Sequence, residues 1–168
     1  SVSRGLGDVY KRQVLLLGGC ASVAQFDTAD AIISSPNDSR EYRHLTLVNG
    51  LQVMLVRETG EKTAAASLSI AVGSRFDPPQ RQGLAHFLEH MLFLGTQKYP
   101  NANGYQQFIS AHGGSHNAYT SFEQTNYYFD IQNSYLDQAL DRFADFFVSP
   151  LFNAEYVERE INAIEAEY

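Results

Sequence analysis

The chain has 168 residues, of which 44% are hydrophobic and 12% aromatic, and this composition is typical of one folded domain with its own core. It excludes an intrinsically disordered chain. A net charge of −7 argues against nucleic-acid binding, because there is no basic patch to neutralise phosphates. No stretch approaches the about 20 consecutive apolar residues that a membrane-spanning helix needs, so no such helix is predicted.

The first 20 residues form a segment of their own, which ends at the single cysteine, Cys20. "VLLLGGC" follows Lys11 and Arg12, and this order of basic, apolar and small residues before a cysteine resembles a bacterial lipoprotein signal with its lipobox. The resemblance implies a lipid-modified Cys20 and a periplasmic protein anchored to the outer membrane. The first 13 residues look like foreign sequence in front of this signal remnant. Residues 21–40 lack periodicity and are predicted to be a tether.

The first half of the region 41–168 predicts strands and two helices. "HLTLVNGLQVMLVRE" alternates on both sides of Asn49-Gly50, which indicates a β-hairpin, and "TAAASLSIAVGS" predicts a third strand. After the loop "FDPPQRQ", a helix is predicted from about Gly83 to Gly95. A second helix, "GYQQFISAH", ends at a pair of glycines. "SHNAYTSFEQTNYYFDIQ" then predicts a strand, or a hairpin bent near residues 122–124.

Two amphipathic helices are predicted in the remaining sequence. The first, in "SYLDQALDRFADFFVSP", has four apolar residues on one face: Leu136, Leu140, Phe143 and Phe147. The second, in "NAEYVEREINAIEAEY", has an apolar stripe that continues to the last residue: Val157, Ile161, Ile164 and Tyr168. Strands followed by helices predict an α+β fold, in which helices pack on one face of an antiparallel sheet. Because the stripe continues to the last residue, residues 41–168 are expected to be the N-terminal part of a longer catalytic domain.

The apolar helix "GLAHFLEHMLFLG" contains three polar residues, His86, Glu89 and His90. At about 100° per residue, His90 lies about 40° from His86 on one side and Glu89 about 60° on the other, so all three share one face. Two imidazoles one turn apart can bind a single zinc ion. Glu89 would lie beside the ion, where a general base for a zinc-bound water belongs. The pattern is H-E-x-x-H with the chain direction reversed.

A catalytic zinc usually has a third protein ligand and one open position. The histidines that could supply it are His44, His112 and His116. The last predicted helix offers carboxylates on the two flanks of its apolar stripe: Glu160 and Glu167 on one, Glu158 and Glu165 on the other. Spacing leaves these alternatives open.

Several segments resemble, in order and spacing, the insulinase/pitrilysin family of inverted zinc peptidases. They are "GLAHFLEHMLFLGTQKYP", "FISAHGGSHNAYTSFEQTNYYFDI", "ALDRFADFF" and "EREINAIEAEY", within residues 42–168. The resemblance implies the half-domain fold of the insulinase and processing-peptidase type, and one Zn²⁺ per chain. It implies that His86 and His90 are zinc ligands and that Glu89 is the catalytic base.

The same resemblance selects Glu167 as the third ligand and gives Glu160 a supporting position beside the site. It matches the edge strand that binds extended substrates with "GSHNAYT", so Asn117 and Ala118 are expected to offer backbone hydrogen bonds. His112 and His116 receive no role from it.

The expected function is zinc-dependent hydrolysis of peptide bonds in peptides or small unfolded proteins. The resemblance also implies a homologous second half, in the same chain or as a partner subunit, that completes the substrate chamber. Activity is therefore expected to need that half, and the 168 residues alone are not expected to suffice. The alternative is a catalytically inactive structural or assembly subunit of the same fold. The complete set of His86, Glu89, His90 and Glu167 favours the enzyme. A binding module with structural zinc is disfavoured, because such a zinc has no use for Glu89.

Overall fold

A computed structural model describes residues 25–26 and 32–167 of the chain. Cys20, with the predicted lipid anchor, lies outside the described residues, as does Tyr168. The chain divides into two compact units, residues 1–60 and 61–168.

The first unit contains a three-stranded antiparallel sheet in the order β1-β2-β3. Its strands are β1 (Gln25–Phe26), β2 (Glu41–Thr46) and β3 (Gln52–Arg57). The β2–β3 hairpin turns at Asn49-Gly50, as the sequence predicts, and Gly50 has a φ of 86°, which is why glycine suits this position. β1 pairs with the end of β2 and lies inside the segment predicted to be a tether.

The second unit is built on a three-stranded antiparallel sheet in the order β4-β6-β5. The strands are β4 (Thr63–Ile70), β5 (His116–Thr120) and β6 (Thr125–Gln132). β5 and β6 form the bent hairpin that the sequence allowed, with the turn at residues 121–124. Alternate residues of the central strand β6 are buried, so one face of the sheet is covered. β5 is an edge strand of this sheet.

Four helices follow the predicted order in this unit: α1 (Leu84–Leu92), α2 (Gly104–Ala111), α3 (Leu136–Asp145) and α4 (Ala154–Glu167). Side chains of α1, α2 and α3 join the buried face of β6 in one hydrophobic core: Leu92, Tyr105, Ile109, Tyr127, Phe129, Ile131, Ala139, Phe143 and Phe146. The structure is therefore α+β with helices on one face of an antiparallel sheet, as the sequence predicts. None of the helices in the described part of the chain has the length and apolar character to span a membrane.

The apolar face predicted for α3 is wrong at one position. Leu140 is exposed, whereas Ala139 is completely buried beside Phe143. The helix lies close to the sheet along its Ala139 side, where a small side chain permits close packing. A hydrophobic pattern cannot distinguish a small residue at the contact from a large residue at its margin.

Candidate metal centre

The helix α1 carries the H-x-x-E-H motif, and the preceding loop fixes its first turn. Gly83 precedes the helix with a φ of 86°, in the left-handed region. The Asp77 carboxylate accepts hydrogen bonds from the amides of Gly83 (2.8 Å) and Ala85 (2.9 Å). A carboxylate here satisfies amides that have no partner within the helix and interacts favourably with the helix dipole. Asp77 therefore fixes the start of the helix at Leu84, two residues before His86.

Three side-chain donor atoms converge between α1 and the end of α4. His86 Nε2 lies 3.2 Å from His90 Nε2 and 3.2 Å from Glu167 Oε2. His90 Nε2 lies 3.9 Å from the same Glu167 oxygen. These residues form the group of possible metal ligands found among the described residues. The histidine side chains are about one-fifth exposed, whereas Glu167 is 54% exposed, so the group is open to solvent on the α4 side.

His90 contacts a second carboxylate on α4 through its other ring nitrogen. Its Nδ1 lies 3.0 Å from Glu160 Oε2, and Glu160 is a buried residue. An ionised carboxylate only accepts hydrogen bonds, so the hydrogen of the neutral His90 ring belongs on Nδ1. The lone pair of Nε2 then faces His86 and Glu167. Arg159 donates to the other Glu160 oxygen, from Nε at 2.8 Å and Nη2 at 2.7 Å, and so supports the buried charge.

Glu89 is buried on the sheet side of α1, with 6% of its surface exposed. A buried carboxylate requires a hydrogen-bond partner, and the Thr120 hydroxyl at the end of β5 donates a short bond to Glu89 Oε2. Burial, and then the nearby charge of Glu89, raise the pKa of Tyr127 in the core. Sequence reasoning did not single out Thr120, because nothing local indicates a contact between residues 31 positions apart.

An open cavity of about 250 Å³ lies between the motif and the edge strand. Its lining combines the helix residues Glu89, His90, Phe93 and Leu94 with His116, Asn117 and Ala118 of β5 and Glu160 of α4. His116 therefore lies beside the motif, although the family resemblance assigned it no role. The His116 ring packs edge-on against Tyr105, with 5.1 Å between centroids.

None of the other histidines and glutamates considered as third ligands belongs to the converging group in the described part of the chain. His44 belongs to β2 in the first unit. His112 Nδ1 lies 2.7 Å from the Phe108 carbonyl oxygen, and its ring contacts Tyr135. Glu158 and Glu165 are exposed on α4, and neither belongs to the group of converging donor atoms.

These features are those of a family of known proteins. The family model described as "Insulinase (Peptidase family M16)" matches residues 52–168, and the chain belongs to this family. The human insulin-degrading enzyme is 53% identical over 137 residues, which is 82% of this chain and 13% of the human protein. A peroxisomal insulin-degrading enzyme-like protein of Arabidopsis thaliana is 50% identical over 81% of the chain and 14% of its own length.

Two solved structures share the fold. The crystal structure of pitrilysin superposes with a TM-score of 0.82 and 40% sequence identity, over 88% of this chain and 16% of pitrilysin. A protease from Helicobacter pylori gives a TM-score of 0.69 at 30% identity, over 76% of this chain and 30% of that protein. The chain thus spans about one-seventh of the length of the curated relatives. Family membership supports a zinc metallopeptidase at the level of the family.

Replacing Glu160 with glutamine is expected to weaken zinc binding by about 10- to 100-fold, the usual effect of losing a carboxylate that orients a histidine ligand. The amide keeps the shape but loses the charge that holds the Nδ1 hydrogen of His90. Competition with a zinc-chelating dye measures the change. Glu158→Gln, on the exposed face of the same helix, is the matched control. An equal loss in the control would show that the total charge of α4 matters, and not the contact with His90.

Acidification is expected to destabilise the second unit through His116. Burial lowers the pKa of His116 below its ordinary value of 6.5. As the pH falls below 6.5, His116 takes up a proton in the unfolded chain but not in the folded chain. The free energy of unfolding therefore decreases until the pH reaches the lowered pKa of His116 in the folded chain. Urea unfolding of the metal-free protein at about pH 7.5 and 5.5 measures this loss. His116→Phe should lose less stability than the parent, and an equal loss would contradict the prediction.

Proposed function

We propose that this chain carries the zinc site of an endopeptidase that hydrolyses peptides or small unfolded proteins. The observation that supports it is that ligand atoms of His86, His90 and Glu167 lie within 4.8 Å of one another. Glu89 lies on the same helix as the two histidines. In this proposal the three converging residues bind one zinc ion, Glu89 is the base, and Glu160 orients His90.

The donor set suits zinc in number, type and spacing. Two imidazole nitrogens and one carboxylate oxygen are a frequent ligand set of catalytic zinc sites, which leave a fourth position open. Ligands about 2.0–2.1 Å from a tetrahedral ion lie about 3.3 Å from one another. The separations of 3.2, 3.2 and 3.9 Å are close to this value. The Nδ1 contact of His90 with Glu160 leaves its Nε2 lone pair available to a metal.

In the proposed mechanism, the metal and the residues around it have separate chemical roles. When bound, zinc supplies a Lewis acid that polarises the scissile carbonyl and lowers the pKa of a water. Glu89 accepts the proton of the attacking water and later donates it to the leaving amine. Glu89 adjoins a ligand in sequence but points towards the sheet, where Thr120 holds it. The side chain is thereby free of the metal and available for proton transfer.

The edge of the sheet is the proposed place for the substrate backbone. β5 pairs with β6 on one side, so its other side can accept an extended peptide through main-chain hydrogen bonds. The Ala118 amide donates to the Asn117 side chain at 2.9 Å. A substrate that uses the Ala118 amide must therefore displace the Asn117 side chain. The adjoining cavity would receive a substrate side chain close to Glu89.

Partners and location remain part of the proposal. Because the matched residues cover only 14% of the length of a curated relative, we infer that a homologous second half closes the site, in the same chain or as a partner subunit. The lipobox-like sequence before Cys20 supports a lipid anchor at the periplasmic face of the outer membrane. Labelling with a radioactive fatty acid in a bacterial host tests the anchor, and a Cys20→Ser variant that still incorporates the label would overturn it.

Zinc-dependent cleavage of quenched fluorescent peptides tests the enzymatic proposal. The zinc-loaded chain, joined with the second half that closes the site, should cut inside unfolded peptides, a chelator should stop cleavage, and added zinc should restore it. Mass spectrometry of the products distinguishes internal cleavage from removal of terminal residues. If the chain with its second half folds, binds zinc and leaves every peptide intact, the peptidase proposal fails and a structural subunit is favoured.

A further inference from the structure

Thr120 joins the proposed base to the proposed substrate strand. It is the last residue of β5, two positions after Ala118, and its side chain turns to the face of the sheet that α1 covers. Its hydroxyl donates to Glu89 Oε2, so one hydrogen bond connects the catalytic helix with the edge strand. This contact brings together residues from two elements that each have a separate role in the proposed function.

The hydroxyl has a single hydrogen, and its surroundings offer that hydrogen two acceptors. Thr120 Oγ1 lies 3.3 Å from Thr125 Oγ1, on the facing strand. Thr125 donates its own hydrogen to the Val72 carbonyl oxygen at 2.9 Å, so towards Thr120 it can only accept. The Thr120 hydrogen therefore goes either to Glu89 or to Thr125. The charged carboxylate is the stronger acceptor and the closer one.

The series of hydrogen bonds from Glu89 through Thr120 and Thr125 ends at Val72, in a closely packed part of the backbone. Thr125 is 5% exposed and lies opposite Thr120 where the β5–β6 turn closes. Gly73, next to Val72, packs so closely on this turn that a Cβ would lie 2.2 Å from the Ser121 carbonyl oxygen. Ser74 also donates its amide to that oxygen at 3.0 Å. The hydroxyl pair is thus attached to backbone that has little room to move.

We propose that Thr120 is a positioning residue, which holds the Glu89 carboxylate at a fixed place relative to the edge strand β5. The proposal rests on the function proposed above, in which Glu89 is the base and β5 holds the substrate. When Glu89 turns towards the substrate, the Thr120 hydrogen has Thr125 as its second acceptor, so no buried donor is left without a partner. Thr120 thus sets the resting place of the base, from which Glu89 turns towards the peptide bond.

Two substitutions at one position separate the hydroxyl from the shape of the side chain. Thr120→Val keeps the shape and removes the hydrogen bond, whereas Thr120→Ser keeps the hydroxyl. Thr63→Val, at an exposed position of strand β4 in the same sheet, is the matched control. Crystal structures of the metal-free variants show whether Glu89 stays in place. Zinc affinity and thermal unfolding confirm that the metal site and the fold persist.

In Thr120→Val, the Glu89 carboxylate should move by more than about 0.5 Å, enough to disturb a catalytic geometry. The cleavage rate constant kcat should fall about tenfold while KM changes less than about twofold, because the base acts on the chemical step and not on binding. Thr120→Ser should restore the position of Glu89 and the parental kcat. Thr63→Val should resemble the parent in both respects.

The structural readout keeps this proposal separate from the peptidase proposal. If the parent does not cleave even with its second half, the function proposed above fails, whereas the position of Glu89 in the variants still decides the role of Thr120. If Glu89 stays in place in Thr120→Val, or if Thr120→Ser behaves as Thr120→Val does, the positioning role is overturned. Unchanged kcat in Thr120→Val, beside an active parent, would overturn it as well.

Discussion

Replacing Glu89 with glutamine is expected to lower peptide cleavage by about 10²- to 10⁴-fold, the usual contribution of a general base. The amide cannot accept the proton of the attacking water, although it has nearly the shape of the carboxylate. Its oxygen can still accept the hydrogen bond from Thr120, so the fold should persist. Because Glu89 lies outside the group of converging donor atoms, zinc should remain bound at the parental affinity. Steady-state kinetics and zinc titration measure the two effects.

The control for this prediction separates the base from its supporting residues. Glu160→Gln should lose cleavage only as far as it loses zinc, so excess zinc should restore its rate. Glu89→Gln should not respond to added zinc. If Glu89→Gln lost its metal, or if it cleaved at the parental rate, Glu89 would not be the base.

The sequence predicted the elements of this fold well because their signals are local. The turn at Asn49-Gly50, the glycines after α2 and the 3.6-residue period of the helices each depend on neighbouring residues. The error at Leu140 and Ala139 arose because the closeness of a helix to a sheet is a property of the packed unit. The pairing of β1 with β2 was missed for a related reason, since a two-residue strand has no periodicity to read.

The candidate site likewise has some residues that local spacing predicts and others that depend on how the elements pack. His86, Glu89 and His90 could be placed on one helical face from spacing alone. Spacing could not choose among the carboxylates of α4, because that choice depends on how α4 packs against α1. In the structure, Glu160 and Glu167 both face the motif helix, at His90 Nδ1 and at the paired Nε2 atoms. The hydrogen-bond partner of Glu89 could be identified only from the folded sheet, since Thr120 lies on a different element, β5.

Replacing Glu167 with alanine is expected to weaken zinc binding by at least about 100-fold, which exceeds the usual effect of losing an orienting partner. The change removes a carboxylate oxygen that lies 3.2 Å from His86 Nε2, and with it one of the three converging donor atoms of the described residues. Glu167 is 54% exposed and at the end of α4, so its removal should hardly change the stability of the fold. Isothermal titration with zinc and thermal unfolding together measure the result.

Glu165→Ala is the matched control, because Glu165 is an exposed carboxylate two residues earlier on the same helix. It changes the net charge by the same amount, so any long-range electrostatic effect on zinc binding should appear in both variants. A ligand role for Glu167 predicts a large difference between the two affinities. Equal affinities would mean that zinc is held without Glu167. The third ligand of the peptidase site would then have to come from elsewhere, because no other glutamate of α4 in the described part of the chain belongs to the converging group, and Glu160 contacts the Nδ1 side of His90.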